Sequence, residues 1–225
     1  MPGTKKNNEA PEKRNFSFEV RAAEDEKGKY IEGRPIVYES PTDICGLFRE
    51  TIKRGALDKA NLKDVRFLVN HDTRKIPLAR SRNNNENSTM RLMPDGKGLK
   101  IRVNLDVENN TEARALYSAV SRGDISGMSF AFNVREEEWN DKNKDYPERE
   151  IRQIEEVFEV SAVTFPAYES TEIYTRSKET LNKARKTLES VQGGEEPDGT
   201  KPQDTLLDSD VIEILKQKNR ILGGL

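Results

Sequence analysis

One histidine and one cysteine in 225 residues leave little room for metal chemistry or a disulfide framework. Zinc sites usually recruit several His or Cys ligands, and this chain offers only His71 and Cys45, so a zinc site is not expected. A lone cysteine cannot form an internal disulfide and fits a reducing compartment. No apolar run approaches the ~20 residues needed to span a bilayer. The opening stretch MPGTKKNNEAPEKRN lacks the apolar segment of a secretory signal, so a soluble, cytoplasmic protein away from membranes is expected. An excess of positive charge is missing too. With 38 Lys and Arg against 40 Asp and Glu, the net charge is -2, which argues against a dedicated nucleic-acid binder. Apolar residues are sparse, at 33% against 35% charged. One core of roughly 150 residues is therefore expected, with polar ends that contribute little to it.

Residues 1–13 are charged and polar, with two prolines, and read as disordered. In NFSFEVRAA, Phe16, Phe18 and Val20 alternate with Ser17, Glu19 and Arg21, the period of a half-buried strand. Across the turn EDEKGK, the strand YIEGRPIVYES completes a hairpin. A short helix is expected around Ala56 to Ala60, after Gly55. VRFLVN reads as a buried strand ending at His71. IPLARS and STMRLMPDGKGLKIRVNLD supply further strands, the last pair joined at Asp95-Gly96. TEARALYSAVSRGD reads as an amphipathic helix capped by Thr111, with Ala115, Leu116, Ala119 and Val120 as its apolar face and Gly123 as its stop. ISGMSFAFNVREEEW and IRQIEEVFEVSAVTFPAY are long strands, Pro166 ends the second, and EIYTRS adds one more. Beyond Arg176 come a polar helix, SKETLNKARKTLESVQ, a linker, GGEEPDGTKPQD, and a second short helix carrying Leu206, Leu207, Val211, Ile214 and Leu215 on one side. The fold class expected is α+β: a mainly antiparallel, closed or nearly closed β-barrel over residues 14–176, with flanking helices and a helical tail, 177–225.

Three residue types could carry chemistry. Along ISGMSFAFNV, Ser126, Met128, Phe130 and Phe132 share one face, and Gly127, Ser129, Ala131 and Asn133 the other. The second face is small, which suits either a substrate chain lying against it or a covering helix. VFEVSAVTF holds one charge, Glu159. It either faces water on an edge strand or is drawn inward to pair with an imidazole. His71 closes a strand within Asn70-His71-Asp72, and such a residue is either structural or a base. If the strand persists, the side chains of His71 and Asp72 diverge, so a distant carboxylate such as Glu159 is the better orienting partner. A serine hydroxyl needs an adjacent base, and an imidazole held by a carboxylate is one. Ser129, His71 and Glu159 would supply one of each. Nothing near Cys45 marks it as an activated nucleophile.

The stretches IEGRPIVYES, FRETIKRGAL, FLVNHDTRKIPLARS, GDISGMSFAF and FEVSAVTFPAYESTEI occur in the order found in a known family. Over about Arg14 to Arg176, the chain resembles the prohead (head maturation) proteases of tailed bacteriophages, which look like distant relatives of the herpesvirus assemblin proteases. The resemblance implies an assemblin-like serine endopeptidase. His71 lies in the family's Asn-His-Asp context. Ser129 is the serine of a Gly-apolar-Ser motif, in preference to Ser126. Glu159 stands in a Glu-Val-Ser context where the herpesvirus branch has a second histidine. By similarity, the backbone amides of Ala167 and Tyr168 would stabilise the oxyanion; Pro166 has no N–H to give.

The resemblance further implies an enzyme enclosed in the immature phage prohead, in the host cytoplasm. Its partner would be the major capsid protein, whose scaffolding segment it cleaves, and it would also cleave itself. Neither a cofactor, a nucleic acid nor a membrane is implied, and a homodimer would parallel the assemblins. The tail offers Leu206 to Leu222 for docking on the scaffold segment and the Gly193-to-Asp204 linker for self-cleavage. The alternative reading is a non-catalytic scaffold or assembly module on the same fold.

Overall fold

The structure, a computed structural model, describes residues 11–16, 20–140, 145–164 and 171–192. The expected linker after Gly193, the helix over Leu206 to Leu222 and most of segment 1–13 lie outside the described residues. The described residues form eleven strands and two helices, nine of the strands preceding the first helix. The strands are β1 (Glu12–Phe16), β2 (Arg21–Asp25), β3 (Gly28–Val37), β4 (Thr42–Ile44), β5 (Phe48–Ile52), β6 (Asp64–Val69), β7 (Ala79–Arg82), β8 (Met90–Asp95), β9 (Gly98–Asn104), β10 (Gly127–Asn140) and β11 (Glu148–Val163). The helices are α1 (Thr111–Arg122) and α2 (Thr171–Gln192). The class is α+β.

The strands form two open sheets rather than the expected closed barrel. One runs β2-β3-β9-β8; the other has seven strands ordered β1-β10-β11-β5-β4, with β6 and β7 branching from β11. Closure would require each edge strand to find a further partner, and among the described residues the two sheets share no ladder. They share a core instead. Ile31, Leu99, Ile101 and Val103 of the smaller sheet belong to the same buried cluster as Val65, Phe67, Phe130, Phe132 and Val160 of the larger one. In β9 these residues alternate with half-buried Lys100 and Arg102, the one-sided pattern of a sheet with a single core face. Truncating one of the fully buried phenylalanines to alanine would cost about 3–5 kcal/mol.

β11 is the axis of the larger sheet. Its whole length pairs antiparallel with β10. Its other edge is shared: Glu148 to Ile151 run parallel to Arg49 to Ile52, and Glu159 to Ala162 run parallel to Arg66 to Val69. Four register shifts in the β10–β11 ladder let these long strands bend between the two halves.

Several local expectations are corrected. NFSFEVRAA is not one strand, because β1 joins β10 in the large sheet while β2 forms the hairpin with β3. Residues 56–60 lie in successive four-residue turns, with Ala56 N–H bonded to the Lys53 carbonyl and Asp58 N–H to that of Gly55, not in a helix. Asn110, not Thr111, caps α1, its side chain accepting from the amides of Glu112 and Ala113. The buried face of α1 is Ala113, Leu116 and Val120, and Ala115 is exposed. Gly123 does end the helix, at φ 81°. EIYTRS is no strand but the first turns of α2, which buries Ser177, Leu181 and Ala184 along one side. The chain divides into two compact units, residues 1–168 and 169–225, and α2 belongs to the second. Among the described residues, no helix is long and apolar enough to cross a membrane.

Candidate active site

β6 ends at Val69, and the next two residues, Asn70 and His71, both adopt positive φ, 50° and 57°. Asn and His tolerate this left-handed region better than most residues, but two in succession need support. Asn70 provides it by clasping the end of β11. Its amide donates to the Ala162 carbonyl at 2.9 Å, its Oδ1 accepts from the Thr164 amide at 2.9 Å, and its Nδ2 donates to Thr164 Oγ1 at 3.0 Å. The tight turn brings the His71 ring back to β11, where Nδ1 lies 2.5 Å from Glu159 Oε1. An ionised carboxylate only accepts, so, facing one, Nδ1 carries the proton, and in the neutral imidazole Nε2 keeps its lone pair.

Glu159 does not face water. It is 5% exposed on β11, between β10 and β6. A carboxylate so placed is tolerated only if its oxygens are matched. His71 takes Oε1, and the Ser161 hydroxyl donates to Oε2 at 2.6 Å. Ser161, fully buried, also accepts the His71 backbone amide at 3.1 Å. One hydroxyl thus fixes both the carboxylate and the main chain of the histidine that meets it. Asp72 turns the other way, bonding the Arg74 guanidinium at 2.9 Å.

Ser129 sits one strand further on. In the β10–β11 register Ser129 is opposite Ser161, and Ala131 is opposite Glu159. Directly paired residues project from the same face, so Ser129, Glu159 and Ser161 share one. Ser129 and His71 are not hydrogen-bonded to each other. Ser129 Oγ instead donates to the backbone carbonyl of Arg14 in β1 at 2.7 Å, and His71 Nε2 is buried without a hydrogen-bond partner among the described residues. Ser126 is exposed and precedes β10. Ala167 and Tyr168, expected as amide donors, lie outside the described residues.

β1 is held in place by an ion network on the opposite face. Arg14 is in register with Phe130, one residue out of phase with Ser129, so its side chain points away from the serine. Its guanidinium meets Glu50 of β5 through two bonds, Nε to Oε1 at 2.6 Å and Nη2 to Oε2 at 2.8 Å. Arg149 of β11 joins the same Glu50 at 2.8 Å, and also bonds Glu12 and Glu137. Arg14, Glu50 and Arg149 are 3% exposed or less. Burial pushes both guanidinium pKa values down, but the surrounding carboxylates outweigh it and the net shift is upward.

Sequence reasoning named His71, Glu159 and Ser129 but missed Ser161, the Asn70 clasp and β1. Ser161 was visible in principle, since it lies two residues after Glu159 and so on the same strand face. The role of Arg14 was not, because nothing local to it indicates a partner on β5.

A histidine oriented by a buried carboxylate, with a serine on the same face of the adjoining strand, is an arrangement suited to acyl transfer. A family model described as caudovirus prohead serine protease matches residues 16–186. No curated protein matches the chain. Among solved structures, the capsid assembly protease of bacteriophage T4 aligns with 13% identity and a TM-score of 0.35, over 68% of this chain and 98% of that one.

Proposed function

Because the chain belongs to the caudovirus prohead serine protease family, we propose that Ser129 is its nucleophile, His71 the general base and Glu159 the residue that orients and charges the base. The observation that carries this reading is the 2.5 Å contact between His71 Nδ1 and Glu159, which leaves Nε2 unpartnered on the side of the sheet that bears Ser129. Ser129 Oγ attacks the scissile carbonyl carbon as its proton passes to His71 Nε2. The imidazolium is stabilised by Glu159, then protonates the departing amine. Water hydrolyses the acyl-enzyme with His71 again as base. The amides of Ala167 and Tyr168 receive the oxyanion; losing one such donor lowers turnover by about 10²–10³.

The substrate is the scaffolding segment of the major capsid protein, and the chain also cuts its own Gly193-to-Asp204 linker. It works inside the immature capsid in the host cell, with residues 14–176 as the catalytic part and 177–225 as a docking tail. Self-association into a homodimer belongs to the same reading. The test is co-expression with the cognate major capsid protein, comparing wild type, Ser129→Ala and Ser126→Ala by intact mass. Only Ser129→Ala should abolish cleavage of both capsid protein and tail while remaining folded. Continued cleavage by Ser129→Ala would remove the nucleophile assignment.

A further inference from the structure

We propose that β1 is a self-supplied occupant of the substrate cleft, and that Glu50 at its floor is the subsite for a basic side chain of the substrate. The inference rests on the assignment of Ser129 as nucleophile. β1 is the edge strand of the large sheet, laid antiparallel along β10 with Asn15 opposite Ser129. A protease that binds an extended peptide beside its nucleophile needs a strand edge of this kind, and here the chain fills it with its own residues. The atom that meets the nucleophile is a peptide carbonyl, that of Arg14, at 2.7 Å from Ser129 Oγ. While Ser129 donates to that carbonyl, its proton is not directed to His71 Nε2. The strand therefore both mimics a substrate and restrains the nucleophile.

The side chain belonging to that carbonyl identifies the subsite. The Arg14 guanidinium is held by both oxygens of Glu50, a fork that matches a planar cation and that a lysine would fill with fewer bonds. Two residues before it, Glu12 meets Arg149 at 2.7 and 2.8 Å. With β1 lifted, Glu50 and Arg149 would line the floor beneath β10 as an adjoining acid and base. The substrate class that fits is an extended segment of pattern acid-any-arginine, with the arginine carbonyl brought to Ser129. Residues 12–14, Glu-Lys-Arg, carry that pattern themselves.

The experiment follows phosphonylation of Ser129 by a fluorophosphonate in the full chain, with circular dichroism as the control for folding. Arg14→Ala loosens β1 and should be labelled about tenfold faster than wild type, because a buried fork of charge-assisted bonds no longer holds the closed form. The peptide EAPEKRNFSF, residues 9–18, should return Arg14→Ala to slow labelling, while the same peptide with alanine in place of its arginine should not. In Arg14→Ala/Glu50→Gln the arginine peptide should lose about tenfold in affinity by fluorescence anisotropy. Equal labelling rates for wild type and Arg14→Ala, or equal protection by the two peptides, would overturn the proposal. A label that survives Ser129→Ala, alongside arginine- and Glu50-dependent peptide binding, would instead remove the nucleophile and leave the cleft assignment standing.

Discussion

Ser161→Ala is the substitution most sensitive to how His71 is held. The hydroxyl makes two bonds in a fully buried site, one to Glu159 Oε2 and one from the His71 amide. A hydrogen bond to a charged group contributes about 1.5–3 kcal/mol and one between neutral groups about 0.5–1.5. The variant should therefore lose about 2–4.5 kcal/mol of stability, read as a lower urea midpoint with an unchanged slope. Activity should fall further than stability explains. Without Ser161 the carboxylate can rotate and the turn at Asn70-His71 loses one of its supports. A misplacement of about 1 Å at a reacting group costs roughly 10² in rate. Because His71 is the only histidine, its ring protons are identifiable without assignment. The downfield signal of the proton between Nδ1 and Glu159 should broaden or vanish in Ser161→Ala and persist in Ser161→Thr, which keeps the hydroxyl. A variant that is less stable but has wild-type kcat/KM and an unchanged downfield proton would refute the reasoning and make Ser161 an ordinary core serine.

Glu159→Gln should remain folded while kcat drops by about 10⁴, since an amide can hold the ring in the wrong tautomer and cannot balance the imidazolium; disappearance of the downfield signal of the proton between Nδ1 and residue 159 would report the loss of the carboxylate. Burial raises the carboxyl pKa of Glu12, but Arg149 and Arg14 outweigh it and hold it at about 2, against an ordinary 4.5. A depressed acid stabilises the fold in its ionised form, so this contribution is complete above about pH 4.5 and declines as the pH falls towards 2. Hydrogen exchange of the β1 amides should accelerate over that interval, ahead of those of β9. Gly98 has φ 136°, and a Cβ there would lie 2.0 Å from the Ile36 carbonyl oxygen. Gly98→Ala should thus cost about 4 kcal/mol or more, measured by thermal denaturation.

The elements with a strong local period were legible. The β8–β9 hairpin turns at Gly96-Lys97, one residue beyond the expected Asp95-Gly96, and α1 differs from expectation by one residue at its cap and by the phase of its buried face. Short strands were not legible: β4 and β5 have 3 and 5 residues, too few to display a period. Nor was partnership. NFSFEVRAA has the alternation of a single strand, yet its two ends serve different sheets, which only pairing with β10 and β3 decides. In a chain that is 35% charged, Glu12, Arg14, Glu50 and Arg149 look like solvated surface. Their burial depends on neighbours as far as 137 residues away. Chemistry constrained the site better, since a chain with one histidine can build only one imidazole base, and a lone acid within an apolar strand is the natural partner for it.

The placement of Glu159 near the end of β11 also sets a timetable. His71 precedes it by 88 residues, which a ribosome adds in roughly 4–18 s. Until β11 emerges, β5, β6 and β10 have no common neighbour, and the imidazole has no carboxylate. A nascent chain on a crowded polysome therefore carries its serine and its histidine as unconnected parts. The contact between His71 and Glu159 forms only when β11 slides between segments made long before, a non-local step that belongs to the slow end of folding.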